Sequence, residues 1–292
     1  MSRQVKNIIN ITAFLICIAL VNIAGQNIEL EIRGVNAFTY ILIAAVLIQV
    51  IFFIPSFLLK TEKYYDLVGS LTYVITISLA YFAVENKTTI DSIIYIYVMI
   101  WASRLGIYLF RRVQKDGKDV RFEKAKTHFF WFLQYWMGQA LWVSLTACAA
   151  IIAILSPEED TLPVLAMLGM ALWLTGFTIE SISDYQKRVF RKENNPSKSF
   201  IQTGLWARSR HPNYFGEITL WTGIAIIALN TLAGIEYITL ISPVFVYILL
   251  TRMSGVNLLE RIADERYGEL EEYQRYKKNT PVLIPKLSKD KN

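Results

Sequence analysis

The stretch FFWFLQYWMGQALWVSLTACAAIIAIL, residues 129–155, contains no acidic or basic side chain. A helix of about 20 predominantly apolar residues is long enough to cross the hydrocarbon core of a bilayer. This stretch is longer than that, so it can cross at a tilt or extend beyond the bilayer. It predicts a membrane-spanning helix.

The rest of the chain repeats this pattern. Of 292 residues, 54% are hydrophobic and only 18% are charged, which is too apolar for a soluble domain of this length. Apolar stretches recur along nearly the whole chain, which excludes one anchor on a large soluble catalytic domain. We predict an all-α, polytopic membrane bundle of about eight transmembrane helices. The predicted spans are 8–25, 36–59, 66–84, 90–110, 128–155, 162–184, 213–230 and 236–251.

Basic residues fall on alternate loops. One set of loops holds 16 Lys and Arg residues, mostly within 111–126 and 187–210, whereas the other set holds only Arg33 and Lys87. The positive-inside rule assigns the first set to the cytoplasm. Both termini are then cytoplasmic. The net charge of +6 is explained by this topology, so a nucleic-acid partner is not predicted.

Metal chemistry is not predicted either. The chain has two Cys and two His residues, and both cysteines lie inside apolar stretches. Neither a disulfide framework nor a zinc cluster can be assembled from them. No motif of the type GxGxxG or GK(S/T) is present to bind phosphate.

Polar side chains inside the spans gather in the half predicted to face the cytosol. Such groups are costly in a bilayer unless they face the bundle interior or water, so they are functional candidates. Trp101, Arg104 and Tyr108 share one helical face by their spacing, and Asp66 lies at a similar depth on the preceding span. We expect Asp66 to pair with Arg104 and Tyr108 to donate a proton. Alternatively, Arg104 reaches lipid phosphates and Asp66 is only a favourable charge at a helix start.

A second group of candidates follows residue 180. In ESISDYQKRVFRK, two acids precede three bases at steps of three and four residues, so they form one helical stripe. The acids suit hydrogen bonds from a ribose or an amide, and the bases suit phosphates. The alternative is a helix leaving the membrane with self-paired charges.

The segment TGLWARSRHPNYFGEITLW, 203–221, contains a predicted helix start. Pro212 suits the first helical position, so Asn213 and Glu217 project from one face. Arg208, Arg210 and the free N–H groups of that helix form a predicted anion site, and His211 is a capping or a catalytic residue. Residues 255–278 predict one cytosolic amphipathic helix, followed by prolines, that lies on the bilayer or covers a nucleotide.

RHPNYFGE at 210–217, the preceding stripe and the tail pattern ERYGE...Y...TP..IP resemble the membrane-embedded steroid 5α-reductase superfamily. YD..GS at 65–70, W..RL..YL..R at 101–112 and D.RF at 119–122 are similar to its bacterial and plant branch, labelled as a domain of unknown function. The RHP-Y turn also occurs in isoprenylcysteine carboxyl methyltransferases and phospholipid methyltransferases. Their paired tail glutamates correspond here to Glu260 followed by Arg261.

The resemblance implies NADPH bound by the C-terminal helices and an apolar substrate held by the N-terminal helices. It divides the chain into a substrate side, 1–127, and an NADPH side, 128–292. Where steroid enzymes have a Gln-Glu pair in an early span this chain has Phe52 and Phe53, and Trp101 stands where they have a later Tyr. The predicted catalytic residues are Tyr108, Arg104, Asp66 and Trp101. The predicted cofactor-binding residues are Glu180, Asp184, Arg188, Arg191, Arg208, Arg210, His211, Asn213, Tyr214, Glu217, Glu260 and Tyr276.

These observations lead to one main functional hypothesis and two alternatives. The main hypothesis is an NADPH-dependent oxidoreductase of a bacterial cell membrane that reduces a conjugated carbon-carbon double bond in a steroid-like or lipid enone, with its site facing the cytoplasm and no obligatory protein partner. One alternative is a membrane S-adenosylmethionine-dependent methyltransferase. The other is a structural or transport protein, although a transporter is expected to place polar groups near the midplane.

Overall fold

The computed structural model describes residues 1–116, 119, 121–156, 161–194, 199–253 and 255–286. These residues form ten α-helices and one two-stranded antiparallel hairpin, so the all-α prediction is confirmed. The helices are α1 Arg3–Val21, α2 Ala37–Leu58, α3 Tyr65–Ala83, α4 Thr89–Asp116, α5 Phe129–Leu155, α6 Val164–Glu193, α7 Pro212–Ala228, α8 Ile241–Ile248, α9 Val256–Tyr267 and α10 Glu271–Asn279. The strands are β1 Glu31–Ile32 and β2 Val35–Asn36.

In the described chain, seven helical segments are long and apolar enough to cross a membrane. Six are α1 with the 3-10 turn after it and α2 to α6, and the seventh is the helical run Gly234–Tyr267. The sequence predicts about eight, and the further predicted span corresponds to α7, whose 17 residues are at the short end of the range of about 17–25 that can cross a bilayer. The predicted last span is also less regular, because a 3-10 turn precedes α8 and the π-helical turn Leu249–Met253 follows it.

Helix α5 is the centre of the first compact unit, which comprises residues 1–166 and 225–242. It packs against α1, α2 and α3, and residues 146–155 are all buried. Small side chains at Ala147, Ala149 and Ala150 allow this close packing. Near the start of α5, Phe132 and Trp136 join Phe53, Tyr65 and Phe122 in an aromatic cluster.

The second compact unit comprises residues 167–224 and 243–292. Its last segment differs from the prediction of one amphipathic helix, because the chain turns at 268–270 between α9 and α10. Leu270 is in an extended conformation, which ends the helical path, and α10 folds back so that Tyr273 and Lys277 both contact Asp264. The prediction of helix-forming sequence is confirmed, whereas the single uninterrupted helix is wrong.

Helix α5 belongs to the first compact unit, because it packs against α1, α2 and α3. In the sequence it falls in the segment 128–292, which is predicted to bind NADPH. The assignment of separate substrate and NADPH segments stays a prediction.

Candidate functional site

In the second unit, α6 and α7 cross with their backbones almost in contact. A Cβ added to Gly216 would lie 2.6 Å from the backbone N of Glu180 and 2.6 Å from the carbonyl O of Gly176. Two turns along, a Cβ at Gly223 would lie 2.6 Å from the carbonyl O of Gly169. Small residues at seven-residue intervals on both helices permit this approach. The crossing brings the predicted stripe on α6 against the RHPNYFGE motif on α7.

Polar side chains from both helices are buried next to this crossing. Glu180 is 2% exposed and Asp184 is 5% exposed on α6, and Glu217 is 6% exposed on α7. The Oδ1 atom of Asn213 is buried and has no hydrogen-bond partner among the described residues. Charged and amide side chains are seldom buried, so three buried carboxyl groups and a buried amide oxygen at one helix crossing mark it as a candidate binding site.

His211, directly before α7, is part of a charged cluster with α9. Its Nε2 atom lies 2.9 Å from Oε1 of Glu260, and an Nη2 atom of Arg210 lies 3.2 Å from the other carboxylate oxygen. Burial disfavours the imidazolium and lowers the pKa of His211, although the hydrogen bond to Glu260 acts in the opposite direction. The Tyr214 ring stacks on the imidazole, with centroids 5.5 Å apart. The sequence predicted that each of these residues binds the cofactor, but it did not predict that they contact one another.

The C-terminal tail holds the RHPNY segment in place. The backbone N–H groups of Arg210 and His211 donate to the carbonyls of Pro281 and Val282 at 2.9 and 3.1 Å. The hydroxyl of Tyr276 donates to the carbonyl of Trp206 at 2.7 Å. These bonds give a physical reason why the RHPNY and TP..IP motifs occur in one chain. Arg210 is also engaged internally, since its Nη1 atom donates to the carbonyl of Lys277.

Other predicted cations stay accessible. Arg188 and Arg191 on α6 and Arg208 in the following turn are exposed, so each can meet a phosphate. Helix α6 runs without a break from its apolar part through Arg191, which confirms that the acids and bases of the stripe lie on one helix. Their contacts with a cofactor remain a proposal.

In the first unit, Asp66 pairs with two arginines that sequence analysis did not assign to it. Its Oδ2 atom lies 3.2 Å from Arg112, and its Oδ1 atom lies 3.4 Å from Arg121. Arg121 also binds Asp119 at 2.6 Å. Burial disfavours the charged forms, but their mutual hydrogen bonds and charges lower the pKa of Asp119 and raise the pKa of Arg121. The predicted pair of Asp66 with Arg104 stays a prediction.

The sequence did not predict that these residues form one ion network. The network includes Glu62, which is buried and binds Lys126 at 2.7 Å and the backbone N–H of Asp119 at 3.1 Å. The motifs YD..GS and D.RF contain three of its members, so the sequence did contain a signal. Their spatial proximity depends on Asp119 and residues 121–128 lying against the start of α3.

Trp101 is buried and lies edge to face with Tyr73, with centroids 5.0 Å apart. It lines a cavity between α3, α4 and α5 together with Asp66. Arg104 and Tyr108 are partly buried on the same helix. The cavity also contains Gln139 and Trp142 of α5, neither of which sequence analysis proposed.

These features define a class: a polytopic α-helical membrane protein with one buried polar site at a glycine-rich helix crossing and another beside an ion network. The family whose sequence pattern matches residues 52–280 is described as a protein of unknown function, DUF1295. This match covers well over half of the chain, and the chain belongs to that family.

Individual relatives are similar over a shorter region. The chain is 31% identical to 3-oxo-5-alpha-steroid 4-dehydrogenase 1 of Mus musculus over 121 residues, which are 41% of this chain and 42% of that protein. It is 31% identical to the protein of the same name from Rattus norvegicus over 41% of this chain and 40% of that protein. For the Homo sapiens protein the identity is 27% over 41% of each. No solved structure gives a significant match.

The chain therefore spans about two fifths of the length of the curated relatives it matches. The family match and these similarities together identify it as a member of the steroid 5α-reductase-like superfamily.

Proposed function

We propose that this protein is an NADPH-dependent reductase that acts on a conjugated carbon-carbon double bond of a steroid-like or lipid enone. The observation that carries the proposal is the crossing of α6 and α7, where backbone contact at Gly176 and Gly216 holds buried acids from both helices together. Close packing of two helices at glycines does not by itself explain why Glu180, Asp184 and Glu217 are buried at this crossing. Ionisable side chains buried in a membrane protein are rare, so several of them at one helix crossing support a functional site.

The buried polar groups and the exposed arginines of this site suit different parts of a dinucleotide. The carboxylates of Asp184 and Glu217 can accept hydrogen bonds from ribose hydroxyls or a carboxamide, and Asn213 offers an amide in the first turn of α7. The exposed guanidinium groups of Arg188 and Arg191 lie on the same helix as Asp184 and suit phosphates. When bound, NADPH would supply the hydride.

The remaining cofactor candidates support this arrangement indirectly. Glu260 and the tail hydrogen bonds fix His211 and Arg210 before the first turn of α7, so the motif does not have to order when a ligand binds. Tyr276 fixes the turn at Trp206 in the same way.

We propose that the substrate binds in the first unit. Adding a hydride to an enone β-carbon leaves charge on the carbonyl oxygen, which a nearby acid must neutralise before the α-carbon is protonated. We assign proton donation to Tyr108, with Arg104 and Asp66 as positioning residues and Trp101 as an aromatic wall. The distribution of basic residues in the loops supports a site that faces the cytoplasm.

Ligand-dependent thermal unfolding of the purified protein in detergent tests the cofactor. A ligand at about 100 times its Kd stabilises a folded protein by about 2.7 kcal/mol, which raises its melting temperature measurably. We expect a saturable shift with NADPH and none with S-adenosylhomocysteine. The opposite pattern would favour the methyltransferase alternative, and no shift with either compound would contradict both enzyme hypotheses.

A second experiment tests the chemistry. The protein is incubated with NADPH deuterated at C4 and an apolar enone, and the product is analysed by mass spectrometry and NMR. Deuterium on the β-carbon of the saturated ketone supports hydride transfer. Reduction of the carbonyl to an alcohol would overturn the assignment to a carbon-carbon double bond.

A further inference from the structure

The cavity between α3, α4 and α5 lies wholly within the first unit. Its volume is about 50 Å³, and the empty space around it, open mouth included, is about 420 Å³. Most of the lining is apolar or aromatic. Its lining residues on α4 and α5 include Trp101, Leu105, Leu109, Gln139 and Trp142.

Two polar groups in this lining lack partners. Gln139 is only 6% exposed, and among the described residues its Oε1 atom has no hydrogen-bond partner. The same holds, within that part of the chain, for the indole Nε1 of Trp142. The two residues are three positions apart on α5, so their side chains leave the helix on the same side. An unpaired buried polar group destabilises a folded protein, so both groups are expected to have a partner in the working protein.

Neighbouring polar groups show that the fold can satisfy buried donors here. The amide of Gln49, fully buried one helix away, donates to the hydroxyl of Thr72 at 2.8 Å. The hydroxyl of Ser70, which also lines the cavity, donates to the carbonyl of Ala102. Gly69 faces Gln139, and a Cβ there would collide with the amide nitrogen. The glycine leaves room for the amide without giving it a partner.

The chemistry of the two groups defines the missing partner. The indole N–H of Trp142 can only donate and the Oε1 atom of Gln139 can only accept, so their partner must offer both an acceptor and a donor. The described residues that line the cavity include no cation, so an anionic ligand would lack a counter-charge there. The aliphatic and aromatic walls favour an apolar body. A hydroxyl at the end of a flat apolar molecule meets all of these conditions, because its oxygen accepts from the indole and its O–H donates to the amide oxygen.

We propose that Gln139 and Trp142 form the binding site for a terminal hydroxyl of the apolar ligand, and that they determine which ligands are accepted. The inference rests on the proposed function for the ligand class and adds the residues that recognise the ligand's oxygen. A cavity of about 50 Å³ accommodates the oxygen-bearing end, and the rest of a steroid-like molecule extends through the mouth.

A matched pair of probes tests this site. 17β-Hydroxyandrost-4-en-3-one carries a terminal hydroxyl, and androst-4-en-3-one lacks it but has the same ring skeleton and the same enone. Binding to the full chain in detergent is measured without NADPH, by equilibrium dialysis. We expect the wild-type protein to bind the alcohol at least tenfold more tightly than the compound without the hydroxyl, and we expect Gln139→Leu and Trp142→Phe each to remove most of that difference.

Ser144→Ala is the matched control. Ser144 is buried on the same helix and, among the described residues, its hydroxyl also lacks a partner, but it does not line the cavity. This variant should keep the preference for the alcohol. If the wild-type protein binds both probes equally, binds neither, or keeps its preference in Gln139→Leu, the cavity holds water only and the inference is wrong. Because no cofactor is present, that result is separate from a failure to bind NADPH.

Discussion

The imidazole Nε2 of His211 lies 2.9 Å from Oε1 of Glu260, which joins the residue before α7 to the middle of α9 across 49 positions of sequence. Glu260 also binds Arg210 at 3.2 Å, so one carboxylate fixes two consecutive residues of the RHPNY motif. The cluster orders the start of α7 before any ligand arrives.

Protonation of His211 should destabilise the protein. Burial lowers the pKa of His211 below its ordinary value of 6.5, so below about pH 6.5 the unfolded chain binds a proton that the folded chain does not. Stability should therefore decrease as the pH falls from 7.5 to 5.5. Thermal unfolding in detergent measures this, and His211→Gln should reduce the pH dependence. His128→Gln, at an exposed position, should leave it unchanged, and equal slopes in all three proteins would contradict the argument.

Arg191→Ala should weaken binding of NADPH about tenfold or more, with a much smaller effect on NADH. The guanidinium is a partner for a 2′-phosphate that NADH does not have. Calorimetric titration of both dinucleotides measures the ratio. Arg261→Ala removes an exposed arginine of α9 as a control. An equal loss for both dinucleotides would show that Arg191 does not recognise the 2′-phosphate.

Asn213→Ala and Glu217→Ala should each lower turnover at least 100-fold while the protein keeps its fold. Both residues lie in the first turns of α7, where a bound cofactor needs fixed polar partners. Turnover is followed by NADPH absorbance, and folding by size-exclusion chromatography and melting temperature. Asn230→Ala and Glu265→Ala remove the same groups elsewhere and should have little effect. Near-normal activity in either test variant would make that residue structural.

Gly216→Ala should destabilise the second unit by about 1–3 kcal/mol, since the added methyl would meet backbone atoms of α6 that cannot move aside independently. It should also weaken NADPH, because the crossing positions the buried acids. Gly138→Ala is the control, because a Cβ there would lie at an ordinary 3.4 Å from Phe14. The melting temperature and the NADPH affinity of both variants test this prediction. Similar values in both variants would show that α6 and α7 can move apart without loss of stability or cofactor binding, which would contradict it.

Tyr108→Phe should reduce single-turnover hydride transfer at least 100-fold and leave NADPH affinity unchanged. The substitution removes one oxygen and almost no volume, so it separates proton donation from packing. Tyr95→Phe, on the same helix and stacked on Tyr81, is the matched control. If stopped-flow rates for Tyr108→Phe equal those of the wild-type protein, the proton comes from another residue or from water.

Most of the fold could be predicted from sequence. The observed bounds of α2, α3 and α5 lie within one residue of the predicted spans, because transfer of a segment of about 20 residues into a bilayer depends on that segment alone. Pro212 at the start of α7 was predictable for a similar reason, since its fixed φ and missing N–H act locally. The turn between α9 and α10 was not, because it depends on contacts of Asp264 with residues of the next helix.

The same distinction between local sequence and long-range contacts applies to the candidate sites. Sequence alone identified Asp66, Glu180, Asp184, Asn213 and Glu217, because charged and amide groups in apolar stretches are visible without knowing their neighbours. The tertiary structure decided which groups meet: Asp66 with Arg112 and Arg121, and His211 with Glu260. It also revealed Gln139 and Trp142, whose polar atoms only stand out once the surrounding helices leave them without partners. Local composition determines where the chain enters the membrane, whereas long-range packing determines which side chains come within hydrogen-bonding distance.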